Sequence, residues 1–219
     1  MQKDMRQMTD QGRRIESDSF AIIDQEAGPH AFTPDQWQVV RRVIHATGDF
    51  EFKELMAFHP LAVETGVNAL RRGAPLLVDV KMIEAGLNAA RLKAFGVSVH
   101  CFISDEDVIA QAQARGSTRA VEAMAKAQRL GLLDGAIVAV GNAPTALLEA
   151  ARLVRHNHAA PALVVGVPVG FVSAAESKQG IMELDVPHLV ARGRKGGSAI
   201  AVAVLHALMA LAAQTDPVP

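Results

Sequence analysis

From Pro75 onward the chain repeats one pattern, in which a short continuous apolar run is followed by a stretch with helical spacing. The runs are PLLVDV (75 to 80), VSVHCF (97 to 102), GAIVAV (135 to 140), ALVVGV (162 to 167) and HLVA (188 to 191). A strand with one wet face alternates apolar and polar residues. Continuous apolar runs are expected where helices cover both faces of a parallel sheet. Helical patterns follow the runs at Met82 to Ala94, Asp105 to Gln113, Thr118 to Arg129, Ala143 to Arg155 and Ala174 to Leu184. The expectation is an α/β fold, a three-layer α/β/α sandwich around a mostly parallel sheet of about five strands.

The segment up to about Arg72 reads as mainly helical. Arg13 to Glu26 carries apolar residues at Ile15, Phe20, Ile22 and Ile23. A second helix begins at Thr33-Pro34-Asp35, where a capping hydroxyl precedes a proline whose missing N–H is harmless in the first turn. It continues through Trp37, Val39, Val40 and Val43 toward His45. At 219 residues and 50% hydrophobic content the chain can bury one sizeable core. It is therefore read as a single domain over 1–219, with 1–72 helical, 75–213 alternating, and a frayed tail from Thr215 to Pro219.

A formal charge of -1 supplies no global field to recruit nucleic acid or an anionic membrane, so an anionic ligand has to be held locally. The lone Cys101 offers no intrachain disulfide and suits a reducing compartment, and MQKDMRQMTDQGRR lacks the apolar core of a signal peptide. Gly197 to Ala213 is apolar but falls short of a comfortable span and contains His206; it reads as a buried closing helix. A cytoplasmic protein is expected. There is no H-E-x-x-H, G-x-S-x-G, Walker A or G-x-G-x-x-G motif, so a metal, a hydrolase triad or a nucleotide cofactor gains no support, and no cofactor is expected.

In an open parallel sheet, ligands bind beyond the carboxyl ends of the strands. Those positions hold Asp79-Val80-Lys81, Gly141-Asn142-Ala143-Pro144-Thr145, Gly166 to Phe171, and Arg192-Gly193-Arg194-Lys195-Gly196-Gly197-Ser198. The last loop sets three cations and three glycines before a helix, a natural anion site unless it is simply a solvated basic turn. Asn142 reads as a helix cap, and Ser173 with Glu176 as a capping box, with Ser177 and Lys178 as further candidate contacts. His45, at a helix end followed by Asp49, is either an acid–base group or a cation settled by the helix dipole. His156 and His158 read as a solvated loop.

Three blocks together resemble precorrin-8X methylmutases: Ser19-Phe20-Ala21-Ile22-Ile23, Arg42-Val43-Ile44-His45-Ala46-Thr47-Gly48-Asp49 and the stretch from Asp134 through Gly141-Asn142-Ala143-Pro144-Thr145 to Leu147. Gly166 to Val172 with Glu176-Ser177-Lys178, and Arg192 to Ser198, extend the likeness across roughly Ser19 to Leu211. The resemblance implies an isomerase moving a methyl group from carbon 11 to carbon 12 of an anionic corrin-precursor macrocycle, with no external methyl donor. It implies His45 as the catalytic acid, Arg119 as a substrate-contacting arginine, and a homodimer. Substrate carboxylates are then expected at Arg192, Arg194, Lys195 and the Gly196-Gly197-Ser198 amides, with Ser19, Thr47, Asp79 and Asn142 lining the pocket and Asp49 either orienting His45 or capping the next short helix. Met1 to Arg14 departs from the tyrosine-bearing, Asp-Pro-containing entry of that family, and the chain contains no Tyr.

Overall fold

The computed structural model describes residues 9–214. The expected frayed tail, and Met1 to Met8 of the divergent N-terminus, lie outside the described residues. In chain order the elements are α1 (Asp10–Ala27), α2 (Pro34–Thr47), α3 (Phe52–Leu55), β1 (Met56–Phe58), α4 (Ala62–Arg71), β2 (Leu76–Val78), α5 (Lys81–Gly86), α6 (Ala89–Phe95) and β3 (Val99–His100). They continue with α7 (Glu106–Arg115), α8 (Arg119–Arg129), β4 (Ile137–Val140), α9 (Pro144–Arg155), β5 (Leu163–Gly166), α10 (Ala174–Met182), β6 (His188–Ala191) and α11 (Ser198–Ala212).

The continuous apolar runs have the expected cause. Leu76, Val78, Ile137, Ala139, Leu163, Val165, Leu189 and Ala191 face one apolar core, shared with α1, α2, α4 and α11. Their neighbours Leu77, Val138, Val140, Val164 and Val190 face a second core, formed with α8, α9 and α10. Side chains alternate by two along each strand, yet both sides are dry. The result is an α/β/α sandwich, with α11 packed against α2, α4 and α5 on one side. Apart from the exposed Ala199 and the partly exposed Val202, His206 and Ala210, α11 is buried along its length. No helix among the described residues is long and apolar enough to cross a membrane.

The sheet has six strands rather than five, in the order β1-β6-β5-β4-β2-β3. The added strand, β1, pairs antiparallel with β6, Met56 opposite Ala191 and Phe58 opposite Leu189. So the region before Arg72 is not purely helical. Three residues carry no periodicity of their own, and this strand exists because β6 supplies its hydrogen-bond partners. A second correction concerns Met82 to Ala94, which forms two helices. Leu87 is extended, and the Asn88 side chain accepts the Arg91 amide at 3.0 Å, which starts α6 afresh.

Helix α2 starts as its sequence demands. Gln36 donates its amide to Thr33 Oγ1 at 3.3 Å, and the Gln36 side chain accepts the Thr33 amide at 3.1 Å, a reciprocal cap. It ends at Gly48, whose left-handed backbone (φ 64°) lets its N–H reach the Ile44 carbonyl. This stop leaves His45 in the last turn. β3 lies on one side of β2, and the chain then crosses to place β4 on the other, so winding reverses between β2 and β4. That reversal opens the crevice where ligands of such folds bind.

Candidate active site

Asp79 closes the bottom of this crevice. It is only 2% exposed, and its carboxylate accepts three backbone amides, Gly141 at 3.0 Å, Asn142 at 2.9 Å and Ala143 at 2.7 Å. Burial raises its pKa, while the three amide bonds oppose the shift. Asp79 therefore holds the loop after β4 rather than presenting free oxygens to a ligand. It also replaces the expected cap, since Asn142 is exposed, Ala143 occupies the cap position of α9, and no side chain on the helix caps it.

Above Asp79 the loops join into one rim. Thr118 donates to Thr145 at 3.1 Å and so ties the start of α8, which carries Arg119, to the first turn of α9. Gly170 packs toward Pro144 and donates its amide to the Arg194 carbonyl at 3.1 Å. Gly197 donates its amide to Val167 O at 2.8 Å, so this amide is not available to a substrate carboxylate. Gly196 lies against the Val167 and Pro168 carbonyls with no room for a Cβ. Gly141 presses on the backbone of Ser198 in the same way, and Ser198 is buried at the start of α11. These glycines serve close packing of loop on loop.

The basic loop is pinned from below and from the side. Lys178 is fully buried and donates to the carbonyls of Gly193 at 2.9 Å and Lys195 at 2.7 Å. Desolvation lowers its pKa to about 8. Ser177, also buried, donates to Ala174 O. Both are spent on backbone carbonyls, Lys178 on those of the basic loop itself, so both serve the structure of the site. Ser173 adopts a left-handed backbone (φ 60°) and makes no side-chain cap, which corrects the capping-box reading with Glu176. Glu176 instead lines an open cleft of about 450 Å³ with Glu183, Arg192 and Gln179, a cleft that does not include His45.

Lys195 spans to the other end of the rim. Its ammonium donates to Asp49 Oδ2 at 2.5 Å and Glu51 Oε2 at 2.6 Å. Asp49 is thus committed to Lys195 and makes no hydrogen bond to His45 among the described residues. His45 is exposed in the last turn of α2, its ring edge-on to Phe20 at 5.2 Å. Phe20 in turn lies under Arg41 and Arg42. Thr47 donates to Val43 O at 2.9 Å and accepts the Asp49 amide at 3.2 Å, and Ser19 donates to Ile15 O at 2.7 Å within α1. Both hydroxyls serve local backbone, Thr47 two residues beyond His45 and Ser19 next to the Phe20 that meets its ring.

Of the cations expected to bind carboxylates, three remain. Arg119, Arg192 and Arg194 are exposed and have no carboxylate partner among the described residues. Beside them, at the end of the Gly166 to Phe171 stretch expected beyond a strand end, Phe171 and the adjoining Val172 are 83% and 82% exposed, with the Arg194 guanidinium 5.5 Å from the Phe171 ring. The readable signal was an apolar Val169-Gly170-Phe171-Val172 stretch lying after a strand that needed no further core. An exposed apolar surface with the unpaired Arg194 guanidinium beside it, on a rim that carries Arg119 and Arg192, suits a large polycarboxylate molecule with an apolar face. His156 and His158 stack loosely at the end of α9, away from this rim, and no group of three or more metal-binding side chains occurs among the described residues.

Comparison with known proteins accords with this geometry. The precorrin-8X methylmutase family profile matches residues 14–211. A cobalt-precorrin-8 methylmutase of Leptospira interrogans is 53% identical over 216 residues, 96% of this chain and 98% of that protein. A precorrin-8X methylmutase of a Sinorhizobium species is 40% identical over 200 residues, covering 90% of this chain and 93% of its own. The solved precorrin-8X methylmutase of Thermus thermophilus superposes with a TM-score of 0.86 at 53% identity, over 92% of this chain and 98% of that one. The chain belongs to the precorrin-8X methylmutase family.

Proposed function

We propose that this chain moves a methyl group from carbon 11 to carbon 12 of precorrin-8X or its cobalt-bearing counterpart, giving hydrogenobyrinate or the cobalt equivalent, with His45 as the proton donor. The observation that carries this reading is the rim itself, where an exposed imidazole, three unpaired arginines and an exposed Phe171-Val172 surface occupy joined loops. The macrocycle's ring system packs on the apolar surface while its acetate and propionate arms meet Arg119, Arg192 and Arg194.

The chemistry is an isomerisation. Protonation of the conjugated system near ring C by His45 lowers the barrier to a 1,5-sigmatropic shift. The bond from carbon 11 to the methyl breaks as the bond to carbon 12 forms, and the imidazole recovers its proton. Histidine suits the role because it is the side-chain type whose charge changes between about pH 5 and 8. Substrate arms held by fixed arginines keep the ring in register with the imidazole.

The reading extends to a homodimer, supported by the exposed apolar residues Ile15 and Ile22 on α1. It extends also to the cytoplasm, supported by the free Cys101. The test is incubation of purified protein with precorrin-8X and, separately, with cobalt-precorrin-8, following the visible spectrum for conversion. Conversion by wild type and none by His45→Ala is expected. Binding of both substrates without conversion of either would overturn the enzymatic reading in favour of a tetrapyrrole carrier.

A further inference from the structure

The sequence pattern groups Lys195 with Arg192 and Arg194 as a carboxylate ligand, but its surroundings set it apart. Its ammonium already bridges two carboxylates, Asp49 and Glu51, across 146 and 144 positions of sequence. A substrate carboxylate would have to displace both. Its backbone is equally fixed, for Lys195 O accepts from the buried Lys178 at 2.7 Å and the Gly193 carbonyl accepts from the same ammonium. Lys195 is thus a post anchored on α10 at its base and on the turn after α2 at its tip.

That turn follows directly on the last turn of α2, which carries His45. From Val43 onward it is locally closed: Thr47 donates to Val43 O, Asp49 donates its amide to Thr47 Oγ1, and Glu51 donates its amide to Asp49 Oδ1 at 2.9 Å. Gly48 ends the helix in a left-handed conformation and turns the chain away from the helix axis. Nothing within this local network orients it toward the basic loop. Two links outside it do: the Arg192 amide donates to Leu55 O at 2.8 Å at the end of α3, and the Lys195 bridge, nearer to His45, ties the turn itself to the loop on which Arg192 and Arg194 stand.

We propose that Lys195 is a positioning residue, clamping the turn that follows His45 to the Arg192–Arg194 loop through Asp49 and Glu51 so that proton donor and carboxylate anchors keep one spacing. The inference rests on His45 being the proton donor. Mutual attraction raises the Lys195 pKa and lowers that of Asp49, which keeps the clamp charged across the neutral range. Misplacing a catalytic group by about 1 Å costs up to about 100-fold in rate, so releasing the clamp acts on turnover more than on affinity.

The experiment measures kcat and substrate affinity, on whichever of precorrin-8X and cobalt-precorrin-8 wild type converts, for Lys195→Met, Lys195→Arg and the double variant Asp49→Asn/Glu51→Gln. Thermal unfolding of each variant establishes that it is folded. A clamp predicts a fall in kcat of about 10- to 100-fold in both Lys195→Met and the double variant, and recovery to within about threefold in Lys195→Arg. A double variant with wild-type kcat, or tighter binding because Lys195 has been released to the substrate, overturns the proposal and makes Lys195 a direct ligand. His45→Ala separates the premise: full activity in that variant sinks the proton-donor reading whatever Lys195 does.

Discussion

The carboxylate of Asp79 accepts the Ala143 amide at 2.7 Å, joining the end of β2 to the first turn of α9 across the point where the sheet reverses its winding. The same carboxylate takes the Gly141 and Asn142 amides. Asp79→Asn keeps the shape but presents an NH₂ group to amides that need an acceptor. A buried donor left unmatched costs about 1–3 kcal/mol, and here more than one is exposed to that loss. The expected outcome is a destabilisation of about 2–3 kcal/mol in urea unfolding, with an unchanged denaturant slope. A loss below about 0.5 kcal/mol would mean that water replaces the carboxylate and that the loop does not depend on it.

That relationship also marks the limit of what the sequence discloses. The runs from Leu76 to Ala191 were legible because two dry faces impose one composition on neighbouring residues. The loops beyond their carboxyl ends were legible because topology places function there. Partners within those loops were not. A helix start at Asn142-Ala143-Pro144 looks self-capped to anything that reads neighbours in sequence, while its acceptor stands 63 positions earlier. Lys195 and Asp49 likewise look like a free cation and a histidine partner until the fold brings them within 2.5 Å. β1 was missed for the same reason, since Met56 to Phe58 becomes a strand only through β6.

Gly196 has no space for a side chain, because a Cβ there would overlap the Val167 and Pro168 carbonyl oxygens. Gly196→Ala must push the loop off β5 and stretch the Gly197 amide from Val167 O. Overpacking of this kind costs about 1–3 kcal/mol. The loop carries Arg194, so activity is expected to fall further than stability. Comparing Tm with kcat/KM tests this: a variant with a lowered Tm and untouched kcat/KM would show that the loop tolerates displacement.

His206 confers a specific sensitivity to acid. Burial, with added repulsion from Arg91 and Arg42 and a smaller opposing pull from Glu16, lowers its pKa to about 4, and its Nε2 accepts the Asn88 amide at 3.3 Å. The unfolded chain binds a proton on this imidazole near pH 6.5 and the folded chain does not, so stability is present above that pH and is lost as pH falls toward 4. The loss is on the order of 2–3 kcal/mol. Asp79, whose pKa is raised, acts in the opposite direction over part of this range, so the informative quantity is the difference between proteins. His206→Leu is expected to lose less stability than wild type between pH 6.5 and 4, and parallel curves would remove His206 as the acid-sensitive group.

Arg194 stands exposed beside Phe171, its guanidinium 5.5 Å from the ring, with its backbone carbonyl holding Gly170. The side chain therefore contributes little to folding, and Arg194→Ala is expected to leave stability within about 0.5 kcal/mol of wild type. Its loss should weaken substrate binding about tenfold, the usual consequence of removing a charge-assisted hydrogen bond to a carboxylate. Screening gives a second signature. At about 0.15 M salt the Debye length is about 8 Å, so binding through exposed arginines declines as salt rises. A spectroscopic titration across salt concentrations should give a shallower decline for Arg194→Ala than for wild type. Equal slopes with equal affinities would place the substrate carboxylates elsewhere on the rim, at Arg119 and Arg192.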